Sequence, residues 1–331
     1  MSEGKSPASP HRTGRKRVLV LGATGTIGRA SVRALLARGH TVVCFLRTGS
    51  TARIEGAELR HGDVTDPLAF PRDGFRGEAF DAVLSCMASR TGAPRDAWAI
   101  DYRANLNALI AAEQAGMKQF VLLSAICVQK PLLEFQKAKL AFEKELVASG
   151  LVWSIVRATA FFKSLSGQIE RVRAGKPFLV FGDGTLTACK PISDDDLGNV
   201  LADCLDDPAL HNRILPVGGP GKAITPRQQG EMLFALTGGK PRFTHVPLAL
   251  LDLAVMALSG LGRVIPRFAE KAELARIGRY YATESMLVLD PATGRYDADA
   301  TPSAGSETLE DFYARVLRGE AHVERGDHAV F

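Results

Sequence analysis

The sequence predicts an α/β fold: a doubly wound parallel sheet with a smaller, mostly helical C-terminal substrate subdomain. Three observations carry this. Short apolar runs alternate with helix-like stretches through the first half of the chain, the pattern of a sheet covered by helices on both faces. The first run, Val18–Leu21, feeds a loop carrying Gly22, Gly25 and Gly28, and a helix-like stretch, Thr26–Arg38, follows. The 331 residues, 46% hydrophobic and 23% charged, suffice for a large core of ordinary globular balance.

Taken in order, residues 1–16 are polar and rich in Ser, Pro and Gly, which reads as a disordered tail. The tail has no apolar segment of the kind a secretory signal needs, and it is short for an organelle transit peptide. Strands are expected near 18–21, 41–46, 57–61, 80–85, 118–124 and 152–157, with the longest helices at 96–116 and 133–149. Residues 17–160 thus form a Rossmann-like nucleotide-binding domain.

Beyond residue 160 the rhythm changes, and 161–320 is expected to bind the substrate, ahead of a tail at 321–331. Phe161–Ala174 looks helical, and Pro177–Phe181 looks like a strand ending in the turn Gly182-Asp183-Gly184. Ser193 caps a helix whose Leu197, Val200, Leu201, Cys204 and Leu205 share one stripe. Arg213–Val217 reads as a strand that returns to the main sheet, and Leu309–Leu317 as a final amphipathic helix. The run Pro247–Gly262 is apolar nearly all round but shorter than a membrane span, and it contains Asp252. It is expected to be a buried core helix; the sharper alternatives are the wall of a pocket for a large apolar substrate or a surface that touches a membrane.

The glycine loop carries the first chemistry. Gly22 allows the turn off the strand, Gly25 lets the backbone approach a pyrophosphate, and Gly28 lets the helix pack close to the strand. Thr24, Thr26 and Ile27 complete the loop. The second strand ends at Arg47, where an NAD-binder usually carries Asp or Glu for the ribose hydroxyls. A guanidinium there suits a 2′-phosphate, so NADPH is the expected cofactor. The net charge of +5 is modest, and the basic residues are scattered without interleaved aromatics, which excludes a nucleic-acid stripe. Five cysteines, none in a C-x-x-C pair, argue against a disulfide framework, a zinc site or an iron–sulfur cluster, and for a reducing compartment. His61, His211 and His245 have no partner spacing and read as structural.

After the fifth strand come Ser124-Ala-Ile-Cys-Val128 and a helix containing Phe135-Gln-Lys-Ala-Lys139. With Asp63-Val64 and Asp101-Tyr-Arg-Ala-Asn105, this layout resembles the short-chain dehydrogenase/reductase superfamily in its extended or atypical branches. Such enzymes carry Tyr-x-x-x-Lys on this helix; here the tyrosine position holds Phe135 and the lysine is Lys139. A phenyl ring cannot exchange a proton with a carbonyl or alcohol. Reduction of a conjugated C=C bond, or binding of the cofactor without chemistry, remains.

Lys190–Leu197, Arg213–Pro226, Glu284–Pro291 and Tyr296–Pro302 resemble one family, the NADPH-dependent divinyl chlorophyllide or protochlorophyllide 8-vinyl reductases, as does Val121–Lys144. In that family Phe is the expected residue at position 135. The resemblance spans residues 16–320 and, without a long transit peptide, fits a bacterial member. It implies a magnesium tetrapyrrole substrate that carries its own metal, no metal held by the protein, and a cytoplasmic location with peripheral contact to the photosynthetic membrane. It also implies roles. Asp63 and Val64 flank the adenine, Met87, Ala88 and Ser89 run along the cofactor, and Lys139 binds the nicotinamide ribose. Ser124 lies beside the cofactor; Phe161, Phe162 and Tyr102 are the candidate substrate contacts. Tyr102, Ser124 and water are the candidate proton donors. The other readings open to the residues are a non-catalytic NADPH sensor and an isoflavone-reductase-like enzyme of smaller aromatics.

Overall fold

The computed structural model describes residues 14–321. The tails expected at 1–16 and 321–331 lie outside the described residues apart from 14–16 and 321.

Helix α1 (Thr26–Ala37) connects strands β1 (Arg17–Leu21) and β2 (Thr41–Arg47); β3 (Glu58–Gly62) and β4 (Ala82–Ser85) follow. Helices α2 (Pro94–Ala97) and α3 (Asn105–Gln114) lead to β5 (Gln119–Ala125), and α4 (Glu134–Ala148) leads to β6 (Val152–Ala158). The short α5 (Ile169–Arg173) and β7 (Phe178–Phe181) leave the sheet; α6 (Asp194–Asp206) and β8 (Arg213–Val217) rejoin it. The result is a seven-stranded parallel sheet in the order β3-β2-β1-β4-β5-β6-β8. Strands such as Val18–Leu21 are buried along their whole length, which a parallel sheet covered on both faces requires. All strands point the same way, so the loops at their C-terminal ends gather on one edge, where open α/β sheets bind ligands.

The remaining elements form a smaller unit: α7 (Pro226–Thr237), β9 (Phe243–Val246), α8 (Leu248–Gly262), α9 (Pro266–Thr283), β10 (Val288–Leu289), β11 (Tyr296–Asp297) and α10 (Leu309–Leu317). β7 pairs with β9 in parallel, and β10 with β11 antiparallel. A separate core built on Phe162, Phe178, Val180, Leu233, Phe234, Leu309 and Tyr313 joins β7, α7, β9 and α10.

Three elements differ from their sequence reading, while the Ser193-capped helix and the strand returning at Arg213–Val217 stand as expected. The helix expected at 96–116 is broken by a π-helical turn, Trp98–Ala104. Buried Asn105 sustains that turn: its side-chain amide donates to the carbonyls of Ile100 and Asp101 at 3.1 and 3.2 Å, and it accepts the Ser85 hydroxyl at 2.6 Å. Phe161–Ala174 is a 3-10 turn followed by α5 rather than one helix, because Phe161 pairs with Ile192 as an isolated bridge. α6 buries Leu197, Leu201, Ala202, Cys204 and Leu205 in the core shared with β1, β2 and α1. Residues 194–217 therefore build the sheet layers, although they follow position 160. Finally, α8 is no core helix. None of its residues is buried, and it packs chiefly on α9. Among the described residues no helix is long and apolar enough to cross a membrane.

Candidate active site

The edge above β1 is shaped for an anion. Gly22 has φ +72°, and a Cβ there would lie 2.6 Å from the carbonyl carbon of Cys86. A Cβ on Gly28 would lie 2.2 Å from the Gly22 carbonyl oxygen. Gly25 faces the other way: its Cβ would meet nothing nearer than 3.4 Å, so the outer side of the loop is open. α1 starts directly after Gly25 with no side-chain cap and no acid in its first turn, so its free N–H groups and positive end are available to phosphate. Thr24 and Gly25 are exposed, Thr26 is half-buried and Ile27 points into the core. Arg29 ties the loop down by donating to the carbonyls of Thr24 and Arg53 at 3.3 and 3.1 Å. Lys163, from the loop after β6, sets its ammonium 3.0 Å from the Thr26 hydroxyl. An open glycine, an uncapped helix start and a cation suit a pyrophosphate.

Arg47 ends β2 exposed, and its guanidinium forms no hydrogen bond or ion pair among the described residues. One strand over, Asp63 closes a tight turn by accepting from the Thr65 backbone and hydroxyl at 2.8 and 2.7 Å, which holds its carboxyl below the usual range. Val64 is buried, and the Asn107 amide donates to its carbonyl at 3.3 Å.

Further along the edge, Met87 is buried, Ala88 exposed and Ser89 buried. The Ser89 N–H points at Asp101 Oδ1, 3.4 Å away. The same oxygen takes the Lys139 ammonium at 2.9 Å, with the Asp101 side chain fully buried and that of Lys139 12% exposed. Asp101 sits in the π-helical turn, a distortion that often marks functional sites. Its other oxygen is buried without a hydrogen-bond partner. Phe135, one turn before Lys139, packs half-buried beside Ile277 and Tyr280 of α9. No ionisable group stands at that position.

Ser124 is buried and donates its hydroxyl hydrogen to Glu143 Oε1 at 2.5 Å; Arg157, opposite Ser124 in the β5–β6 register, pairs with Glu143 Oε2. The Ser124 proton is thus engaged by a carboxylate. Tyr102 is not brought to Lys139 either: its hydroxyl donates to Glu145 at 3.3 Å, and its ring meets Trp98 edge-on. Phe162 is 2% exposed with its ring 5.3 Å from Phe312, which makes it a core residue of the smaller unit. Phe161 stays half-buried near the sheet edge. Among the three candidate substrate contacts, Phe161 is the one the structure leaves on the cofactor edge with no hydrogen-bonded or ring-stacked commitment.

Sequence reasoning missed the roles of Asp101, Glu143 and Lys163. Asp101 lay inside a motif already noticed and needed only its partner. Lys163 gave no signal, since it meets Thr26 across 137 positions. The four C-terminal segments that carry the resemblance form a clasp. The Lys190 ammonium donates to the Thr301 carbonyl, Gly218 N–H to the Pro302 carbonyl and Val288 N–H to the Thr301 hydroxyl, each at 2.8 Å.

The family described as NAD(P)H-binding matches residues 22–208. The divinyl chlorophyllide a 8-vinyl-reductase of rice (Oryza sativa subsp. indica), a chloroplastic protein, is 51% identical over 98% of this chain and 85% of its own. The photosystem II assembly factor Ycf39 of Synechocystis is 27% identical over 91% of this chain and 92% of its own. Among solved structures, an NADPH-dependent quinone oxidoreductase from Escherichia coli, complexed with NADPH, superposes with a TM-score of 0.66 at 17% identity, covering 91% of this chain and 99% of that one.

Proposed function

This chain belongs to the divinyl chlorophyllide a 8-vinyl-reductase family, and we propose that it reduces the 8-vinyl group of divinyl chlorophyllide or protochlorophyllide to ethyl with NADPH as the hydride source. The observation that carries this reading is 51% identity along 98% of the chain to a reductase of that name. The nicotinamide domain is intact, and the enzyme acts on a C=C bond. Phe135, in place of a proton-exchanging tyrosine, is consistent with that chemistry, because a vinyl group has no oxygen for a tyrosine to serve.

The roles follow from placement. Gly22, Thr24, Gly25, Thr26 and Gly28, with Lys163, would hold the pyrophosphate, and Arg47 the 2′-phosphate. Asp63 and Val64 would border the adenine, and Met87, Ala88 and Ser89 the cofactor's middle. Lys139, fixed by Asp101, would hold the nicotinamide ribose. When bound, the nicotinamide supplies hydride to the vinyl terminus, and the conjugated macrocycle spreads the charge until a proton completes the ethyl group. The protein would orient the reactants; Phe135 and Ile277 supply an apolar wall beside Lys139. Ser124, whose hydrogen is held by Glu143, supports the sheet end instead of delivering a proton.

Anaerobic incubation of the purified chain with 3,8-divinyl chlorophyllide a and either NADPH or NADH tests this. The expected outcome is a shifted Soret band and a pigment two hydrogens heavier, much faster with NADPH. Tight NADPH binding with every offered pigment unchanged would instead support the sensor reading, which also keeps the glycine loop and lacks the tyrosine at position 135.

A further inference from the structure

The hairpin α8–α9 presents an apolar stripe that nothing in the described chain covers. Leu250, Leu253, Met256, Leu261 and Val264 recur at spacings of three to five residues, and they are 55, 56, 66, 47 and 82% exposed. Helical periodicity puts Leu250, Leu253, Met256 and Leu261 broadly on one side of α8, and Val264 follows in the turn after it; Leu251, Ala254, Val255 and Leu258, which are half-buried, lie towards α9. Soluble surfaces rarely leave so continuous an apolar patch without a use.

Charge at the tip selects the occupant. Arg263, Arg267 and Lys271 are all exposed around Val264 and Ile265, with Glu270 the one acid among them. Neither the Arg263 nor the Arg267 guanidinium forms a hydrogen bond or ion pair among the described residues, and the Lys271 ammonium lies over the Phe268 ring, 5.6 Å from its centroid. The hairpin's other acids are neutralised elsewhere: Asp252 pairs with Arg279, and Glu273 with Arg276 at 2.9 Å. An apolar stripe ending in a cluster of exposed cations has the chemistry of a segment that lies in a bilayer interface. A second copy of the chain would bring like charges together at the same tip, which disfavours self-pairing.

We propose that the α8–α9 tip seats this protein on an anionic lipid bilayer, with Met256, Leu261, Val264 and Ile265 entering the headgroup region and Arg263, Arg267 and Lys271 meeting lipid phosphates. α9 runs from this tip back to Ile277, whose side chain reaches Gly92 and Phe135. The seat therefore stands at the far end of the helix that walls the site, and the surface is independent of the reaction proposed above.

Flotation of the full chain with phosphatidylcholine vesicles, with and without phosphatidylglycerol, tests it. Binding is expected to the anionic vesicles alone and to weaken with salt. R263Q/R267Q/K271Q is expected to cut partitioning about a hundredfold, because each cation near the surface contributes roughly a factor of five. M256E/V264E is expected to abolish it. These side chains are exposed, so both variants should keep the wild-type circular dichroism and NADPH affinity. Flotation that is absent, or equal in all three proteins, overturns the proposal. So does a dimer in solution that M256E/V264E dissociates while vesicles are ignored, or a loss of pigment affinity in that variant without any vesicle binding.

Discussion

Lys139 and Asp101 form a 2.9 Å ion pair that joins α4 to the π-helical turn before α3. The pair places the ammonium at the edge where β4 and β5 end, with the Ser89 N–H on the same carboxylate oxygen. Asp101 is thus a positioning residue for Lys139. D101N keeps the shape but removes the charge, and kcat with saturating NADPH should fall about tenfold or more as the lysine loses its fixed place. K139A should fall at least as far. A structural role alone would lower Tm in D101N and leave kcat of the folded fraction unchanged.

Arg47 supplies the cofactor test. R47A removes an unpaired guanidinium at the end of β2. KM for NADPH should rise about 10- to 100-fold, the range expected for losing hydrogen bonds to a charged group, and KM for NADH should hardly move. Steady-state kinetics with both cofactors reads the difference directly. An equal change with both would remove Arg47 from the 2′-phosphate site.

Glu143 supplies a stability test. Its side chain is 4% exposed and accepts both Arg157 and Ser124. R157A leaves a buried carboxylate without its cation and should cost about 3–5 kcal/mol in urea unfolding. S124A removes one hydrogen bond and should cost about 1–3 kcal/mol. If Ser124 delivered the proton to the substrate, S124A would abolish turnover; the geometry predicts that turnover survives.

Asp194 sets a pH dependence. Burial, with Asp195 next in effect, pushes its carboxyl from 3.8 up to about 6. A folded state that holds this proton more tightly than the unfolded chain gains stability at low pH and loses it as pH rises through the window from 3.8 to about 6. D194N should remove that contribution, so its advantage over the parent in urea unfolding should be larger at neutral pH than below the window. Lys163 and Arg33 oppose the shift, so K163A should steepen the parent's loss.

Much of the fold was legible because parallel strands buried on both faces are short apolar runs. Val18–Leu21, Thr41–Leu46 and Val152–Arg157 announced themselves in this way. The glycine loop was legible because Gly22 and Gly28 answer to steric limits that no other residue meets. Three features were not. The π-helical turn depends on Asn105 bonding to carbonyls that only the folded chain brings to it. Lys163 and Thr26 meet through the tertiary fold alone. The exposure of α8 could not be read from hydropathy, because Leu248–Gly262 is as apolar as a core helix and differs in packing chiefly on α9 alone, with none of its residues buried.

The central claim is that this chain carries hydride from a nicotinamide to the 8-vinyl group. NADPH deuterated at C4, prepared separately as each stereoisomer, should be incubated anaerobically with divinyl chlorophyllide and the pigment's ethyl group examined by mass spectrometry and NMR. The account predicts one deuterium on that ethyl group from one of the two isomers, and none from the other. A pigment reduced without label from either isomer, or left unreduced, would contradict it.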